Sequence, residues 1–133
     1  MFSDSGGLTQ SGAFVETLPP GSSSALKHWH AAEDEMVYML EGTATVVEGD
    51  DTFPLVPGEA ATFKAGTPAG HCIVNHGETP IRYLVIGTRA PADTVTYPDH
   101  DRRLVHSRDV SGKVATRRFT TLDGAPSTSA YDD

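Results

Sequence analysis

Two histidine-containing stretches stand out in this sequence: HWHAAEDE at residues 28–35 and GHCIVN at residues 70–75. Successive side chains of a β-strand point to opposite faces, so His28 and His30 are expected to share one face. Together with His71 and a nearby carboxylate, they would make a four-ligand set suited to a first-row transition metal. The alternative is an ordinary exposed histidine pair, because the chain has six histidines.

The spacing around both stretches resembles the two sequence motifs of the cupin family. The first motif is matched, with a first gap one residue longer than usual, by Gly21, His28, His30, Glu35 and Gly42. The second is matched, with a longer turn before its histidine, by Gly58, Gly66, Pro68, His71 and Asn75. The resemblance covers Gly12 to Ala90 and implies an all-β fold, a double-stranded β-helix or jelly-roll barrel.

The resemblance also implies one divalent transition metal ion per chain, Fe, Mn, Ni or Zn. Its ligands would be His28, His30, Glu35 and His71. Glu35 would share a strand face with apolar residues, where an unpaired carboxylate is costly to bury and a metal removes that cost. Glu33 and Asp34 compete through proximity, but only Glu35 has the six-residue gap to Gly42 that the family motif shows.

The remaining polar residues of the motifs have simpler interpretations. Cys72 falls on the strand face opposite His71 and is expected to be a small buried apolar residue. Asn75 is expected to brace the barrel. The other histidines match no motif and are interpreted as surface or edge residues: His76, His100 and His106. No catalytic residue is assigned, and Arg82 and Tyr83 are the only candidates beside the metal.

Short β-branched and apolar segments separated by turn signals predict an all-β sandwich or barrel without the family resemblance. Residues 25–30 are expected to form the strand that carries the histidine pair. Met36 to Leu40 and Thr43 to Val47 are expected to form a hairpin across Glu41 and Gly42. We divide the chain into a flexible segment (1–11), a barrel (12–90) and a less regular C-terminal extension and arm (91–133).

The run from Met36 to Leu40 is apolar at both strand parities. A strand buried on both faces fits this run, and so does a short buried helix. The strand interpretation leaves an apolar face that a single sandwich does not cover. It therefore predicts a homodimer.

Chain length, net charge and cysteine content limit the number of domains, the classes of partner and the expected location. The chain has 133 residues and a net charge of −8, which predicts a single domain and disfavours nucleic acid as a partner. No apolar stretch reaches membrane-spanning length, and the N-terminus lacks the pattern of a signal peptide. With one cysteine and no disulfide framework, a cytoplasmic location is expected.

The resulting hypothesis is a metal-dependent cupin that acts on a small organic molecule as a dioxygenase, isomerase or lyase. The alternative is a cupin that binds or senses a small molecule without turnover. Some similar small cupins carry a sugar-phosphate isomerase label. That role is disfavoured at this stage, because no cluster of Lys or Arg adjoins the motifs to hold a phosphate.

Overall fold

A computed structural model describes all residues, 1–133, and the fold is all-β as predicted. The strands are β1 (Ser11–Leu18), β2 (Trp29–His30), β3 (Glu35–Glu41), β4 (Ala44–Glu48), β5 (Asp51–Leu55), β6 (Ala60–Phe63), β7 (His71–Val74), β8 (Ile81–Thr88), β9 (Ala92–Tyr97), β10 (Arg102–Arg108), β11 (Val114–Thr120) and β12 (Pro126–Ser127). Two short helices lie near the chain ends, α1 (Phe2–Ser5) and a 3-10 helix (Ala130–Asp132). Neither helix has the length and apolar character needed to cross a membrane.

Three antiparallel sheets build the molecule. Their strand orders are β1-β8-β3-β6, β5-β4-β7 and β12-β11-β10-β9-β2. The second and third sheets meet where His28 and His71 exchange backbone hydrogen bonds of 3.3 and 2.9 Å. This bridge makes the two sheets continuous and places two predicted metal ligands side by side.

The main core lies between the four-stranded and three-stranded sheets. Strand parity decides which residues of Met36–Leu40 enter it, since Val37 and Met39 are 1% and 0% exposed while Tyr38 and Leu40 are 39% and 37% exposed. The run is therefore a strand and not a helix. The rest of the cluster comes from both sheets: Leu18, Ala44, Val46, Leu55, Ala61, Phe63, Ile73, Ile81 and Tyr83.

The predicted hairpin across Glu41 and Gly42 is wrong. β3 pairs with β6 and β8, whereas β4 pairs with β5 and β7, so the chain crosses from one sheet to the other at this turn. Gly42 has a φ of 78°, and a Cβ there would meet Ile81 Cγ2 at 2.6 Å. Gly42 forms the corner where the chain changes sheets and packs against the core. In the sequence, a glycine at such a corner cannot be told from a glycine in a hairpin turn.

The strand predicted over residues 25–30 is shorter than expected. Only Trp29 and His30 form β2, because the backbone of Leu26 is bonded to side chains instead of a neighbouring strand. The Leu26 N–H donates to the Tyr131 hydroxyl, and the Leu26 carbonyl accepts from His28 Nδ1. The shared face of His28 and His30 is retained.

Both chain ends pack onto the barrel. In the segment predicted to be flexible, Ser3 is buried and its Oγ accepts a hydrogen bond from the Ala13 N–H. At the other end Ala130 is buried and joins a small second core with Val95 and Tyr97 of β9. The C-terminal extension thus contributes a sheet that continues into the metal-ligand region through β2.

Candidate metal centre

Three histidines and a glutamate from three segments, β2 with the preceding His28, β3 and β7, converge at one end of the barrel. Ligand atoms of His28, His30 and Glu35 all lie within 4.8 Å of one another. His71 joins them, since its Nε2 lies 3.4 Å from Glu35 Oε1 and its ring centroid lies 4.8 Å from that of His28. The structure therefore brings all four predicted ligands together.

The hydrogen bonds of these histidines leave one nitrogen of each ring directed at the cluster. His28 Nδ1 is bonded to the Leu26 carbonyl and His30 Nδ1 to Asp93 Oδ2, each at 2.7 Å. Both Nε2 atoms are then the unprotonated nitrogens when the rings are neutral. Nε2 of the buried His71 has no hydrogen-bond partner. A buried polar atom without a partner is costly, and a divalent cation bound by this nitrogen would remove the cost.

The competing carboxylates are engaged elsewhere. Glu33 is buried, and its oxygens accept hydrogen bonds from Arg108 and from the Ala90 N–H. Asp34 is exposed, and its Oδ1 accepts from the Ala65 N–H. Of the three neighbouring acids, only Glu35 places its carboxylate between the Nε2 atoms of His30 and His71. Its oxygens lie 3.7 Å from His30 Nε2 and 3.4 Å from His71 Nε2.

Burial, hydrogen bonds and neighbouring charges together shift the pKa values of His28, His30 and Glu35. Burial lowers the pKa of His28, which favours the neutral ring that a metal needs. Burial also opposes a charge on His30, but the hydrogen bond to Asp93 and the negative charges of Asp93, Glu35 and Glu33 together outweigh burial and raise the pKa of His30. Burial opposes the charge of Glu35 as well, but the adjacent His71 and the other two imidazoles outweigh it and lower the pKa of Glu35.

Asp93 is the residue near the centre that sequence reasoning missed. It lies on β9 with its side chain fully buried, and it accepts from the Ala32 N–H as well as contacting His30. Its signal was its strand parity, because Asp93 shares a face of β9 with the buried Val95 and Tyr97, and a buried carboxylate needs a partner. The strand pattern after residue 90 is weak, so the inward position of Asp93 was not recognised from the sequence.

Three further predictions from the sequence concern His106, Asn75 and Cys72. His106, interpreted as a surface or edge histidine, is 6% exposed, because its strand position opposite Asp93 turns it inward. Asn75 is fully buried and braces the barrel, donating from Nδ2 to the carbonyls of Leu18 and Thr79. Cys72 is buried, as expected.

Two cavities adjoin the cluster. The first, of about 210 Å³, opens inside the barrel and is lined by Phe14, Glu16, Ser24, Ala25, His28, Glu35, Val37, Ile73, Tyr83 and Val85. The second, of about 350 Å³, is named the cationic pocket for its lining by Arg89, Arg108 and Lys113. The same Phe14, Glu35 and Val85 and the carboxylates Asp4 and Glu33 also line it. The expectation that no Lys or Arg cluster adjoins the motifs is therefore wrong. β10, β11 and the end of β8 bring these cations to Glu35 from distant parts of the sequence.

The two catalytic candidates named from the sequence face different surroundings. Arg82 is on the outer face of β8 and pairs with the exposed Glu41 at 2.8 Å. Tyr83 points inward, is 1% exposed, and donates from its hydroxyl to Glu16 Oε1 at 2.8 Å. Only Tyr83 lines the barrel cavity together with the candidate ligands.

A β-sandwich barrel with three imidazoles and one carboxylate gathered inside one end defines a class of small barrels with a candidate metal site. The chain belongs to the cupin family, whose Cupin domain model matches residues 14–87. Among solved structures, a cupin-superfamily sugar phosphate isomerase from Silicibacter pomeroyi is 41% identical over 95% of this chain and 76% of its own, with a TM-score of 0.83.

Two other structures extend the comparison. A candidate sugar phosphate isomerase from Acidithiobacillus ferrooxidans is 30% identical over 96% of this chain and 77% of its own, with a TM-score of 0.81. A protein from Thermotoga maritima, described as a predicted oxalate decarboxylase, is 26% identical over 65% of this chain and 72% of its own, with a TM-score of 0.56. No curated protein matches the sequence.

The contact between His30 and Asp93 predicts a pH-dependent stability of the metal-free protein. The raised pKa of His30 stabilises the fold fully below the unfolded value of about 6.5, and this contribution is lost as pH rises through the folded pKa. The pKa of Asp93 is lowered: burial opposes this shift, but the hydrogen bonds from His30 and from the backbone of Ala32 and Thr94, with the charge of His30, together outweigh burial. Its contribution is present above about pH 3.9 and is lost as pH falls through the folded pKa.

Asp93→Asn should therefore reduce the free energy of unfolding most between about pH 4 and 6.5, by about 2 kcal/mol, and less at pH 8.5. Urea unfolding of both metal-free proteins at pH 5 and 8.5 measures this. Asp99→Asn is the matched control, because Asp99 makes only an exposed 3.7 Å contact with Lys27. An equal loss for Asp93→Asn at both pH values would contradict the expected ion pair.

Proposed function

We propose that this cupin is a metal-dependent isomerase of phosphorylated sugars, with a divalent metal held by His28, His30, Glu35 and His71. The observation that carries the proposal is the position of Glu35, which lines both the barrel cavity and the cationic pocket. A substrate with a carbonyl group and a phosphate can place one at the histidine cluster and the other at the cations.

The donor set supports the metal. It offers three imidazole nitrogens and one carboxylate oxygen, a combination that suits Fe, Mn, Ni or Zn better than Mg or Ca. Hydrogen bonds to Leu26 and Asp93 orient two of the rings, as outer partners of metal-binding histidines commonly do. Phe63 stacks on His71 with ring centroids 3.7 Å apart and fixes the third ring.

The cationic pocket supports the phosphate. Arg89 pairs with Asp4 and Arg108 with Glu33, which leaves the exposed Lys113 ammonium as the unpaired cation of the pocket. The two arginines are held in place by these carboxylates and border the pocket beside Lys113. Two relatives that cover nearly all of this chain are described as sugar phosphate isomerases, one of them as a candidate, which agrees with this substrate class.

In the proposed reaction the residues of the chain would have three roles: they bind the cation, exclude water and anchor the phosphate. The histidines and Glu35 hold the cation, which when bound supplies Lewis acidity that polarises a substrate carbonyl. Phe14, Val37 and Val85 give the barrel cavity apolar walls that limit the access of water to the reacting carbons. Lys113 anchors the phosphate and so fixes which carbons face the cluster.

The metal proposal predicts that protein prepared in excess Mn²⁺ or Zn²⁺ and then desalted holds one ion per chain. His71→Ala should lower the affinity by more than the 10–100-fold that loss of an outer partner typically costs, since it removes a ligand. His76→Ala is the matched control, because His76 is exposed and outside the cluster. Elemental analysis measures the metal stoichiometry and metal titration measures the affinity. Equal affinities in both variants would show that His71 is not a ligand.

The isomerase proposal predicts metal-dependent interconversion of aldose and ketose phosphates of three to six carbons, followed by NMR. Lys113→Gln should raise KM about tenfold, equivalent to ~1.4 kcal/mol of binding, with little change in kcat. Arg118→Gln, on the exposed part of β11 and outside the pocket, should leave KM unchanged. Tight binding without turnover in any sample would instead favour the alternative, a cupin that binds or senses its ligand.

We also propose that two copies pair through the outer face of the four-stranded sheet. Strand register puts six apolar residues on this face next to one another: Ala13, Val15, Met36, Tyr38, Leu84 and Ile86. The exposed Leu40 follows them along β3, at a register irregularity. A continuous apolar sheet face of this kind marks an interaction surface. A second copy can cover it with the same residues around a twofold axis.

Sedimentation of the wild-type protein should then show a dimer, and Tyr38→Lys should shift it to the monomer by burying a charge in the interface. Val110→Lys is the matched control, because Val110 is fully exposed and lies outside this face. A wild-type monomer at all concentrations, or a Tyr38→Lys protein that stays dimeric, would contradict the pairing.

A further inference from the structure

One carboxylate lies on the inner face of the barrel without a role in the metal cluster. Along β1, Glu16 points inward with Phe14 and Leu18, and it stands directly opposite Tyr83 of β8. Its flanking inward neighbours on these strands are apolar. A carboxylate at such a position loses hydration and contributes nothing to apolar packing, so its presence calls for a chemical explanation.

The hydrogen bond to Tyr83 orients this carboxylate and leaves one oxygen available. The Tyr83 hydroxyl donates to Glu16 Oε1 at 2.8 Å, and Oε2 accepts no hydrogen bond within the chain. Burial and the hydrogen bond to Glu16 raise the pKa of Tyr83, so the hydroxyl stays protonated and remains a donor. Glu16 is thus a fixed group with a free oxygen.

The free carboxylate and the metal cluster line the same cavity. Glu16, Tyr83 and Ser24 stand on its walls together with His28 and Glu35. Glu35 and Glu16 are the two carboxylates that line it, and Glu35 belongs to the candidate ligand set. A substrate whose carbonyl lies at the cluster therefore meets Glu16 as the remaining base within this cavity.

From this arrangement we infer that Glu16 is the catalytic base that moves a proton between adjacent carbons of the substrate. The inference rests on the proposed isomerase function and adds the residue that carries the proton. Glu16 removes the proton from the hydroxyl-bearing carbon beside the carbonyl. The C–H electron pair becomes a C=C bond, and the carbonyl π pair moves onto its oxygen to give an enediolate.

The same carboxylic acid then returns the proton to the former carbonyl carbon, and a carbonyl forms at the neighbouring carbon. The remaining proton passes between the two substrate oxygens, so atoms and electrons balance without an oxidant or a reductant. Tyr83 is a positioning residue, since it holds Oε1 and keeps Oε2 directed at the cavity. General base catalysis of this kind contributes about 10²–10⁴-fold in rate.

The test compares Glu16→Gln with the wild-type protein at full metal loading. Gln keeps the shape and can still accept from the Tyr83 hydroxyl, so metal stoichiometry, metal affinity and the unfolding midpoint should not change. The kcat for fructose 6-phosphate or dihydroxyacetone phosphate should fall by about 10²–10⁴-fold. In D₂O, incorporation of deuterium beside the carbonyl, followed by NMR, should fall in parallel.

Three further variants complete the design. Glu16→Asp keeps the charge but withdraws the carboxylate, and it should also lower kcat. Tyr83→Phe should lower kcat about tenfold with KM and metal affinity unchanged, a split that a purely structural role would not produce. Glu78→Gln, an exposed carboxylate outside the cavity, is the matched control and should behave as wild type.

The outcomes separate this inference from the proposed function. If the wild-type protein isomerises a sugar phosphate and Glu16→Gln does so at a similar rate, the inference is overturned and the isomerase stands. If the wild-type protein exchanges deuterium without isomerising and Glu16→Gln does not, the base is supported and the isomerase is overturned. A wild-type protein that does neither overturns both, and loss of metal from Glu16→Gln also overturns the inference.

Discussion

The backbone bridge between His28 and His71 is the contact on which the rest of the site depends. It joins the sheet ending in β7 to the sheet ending in β2, and its two hydrogen bonds place a pair of imidazoles 4.8 Å apart. Strand parity then carries His30 to the same face. The contact that joins the two sheets is therefore also the contact that brings these two rings into the cluster.

The C-terminal extension takes part in this arrangement through Asp93. By pairing β9 with β2, the extension inserts a buried carboxylate behind His30 and fixes which ring nitrogen faces the cluster. The same extension carries Arg108 and Lys113 to the cationic pocket through β10 and the turn that follows it. A barrel of residues 12–90 alone would retain the four candidate ligands but lack these groups.

The sequence was informative where a local pattern determines structure. Strand parity correctly predicted the shared face of His28 and His30 and the inward direction of Val37 and Met39, since both follow from the geometry of a single strand. It failed at Gly42, because a turn residue does not specify whether the next strand pairs in the same sheet or in the opposite one. The roles of Arg108 and Asp93 depend on long-range pairing, which spacing along one chain does not encode.

The position of Glu35 connects these features chemically. It lies at the end of the inner face of β3, between His30 and His71, and its side chain borders both cavities. Deeper along the same sheet, the apolar layer of Phe14, Val37 and Val85 gives way to the pair of Glu16 and Tyr83. Polar groups thus lie at both ends of a cavity with apolar walls, an arrangement that holds a polar substrate in one orientation.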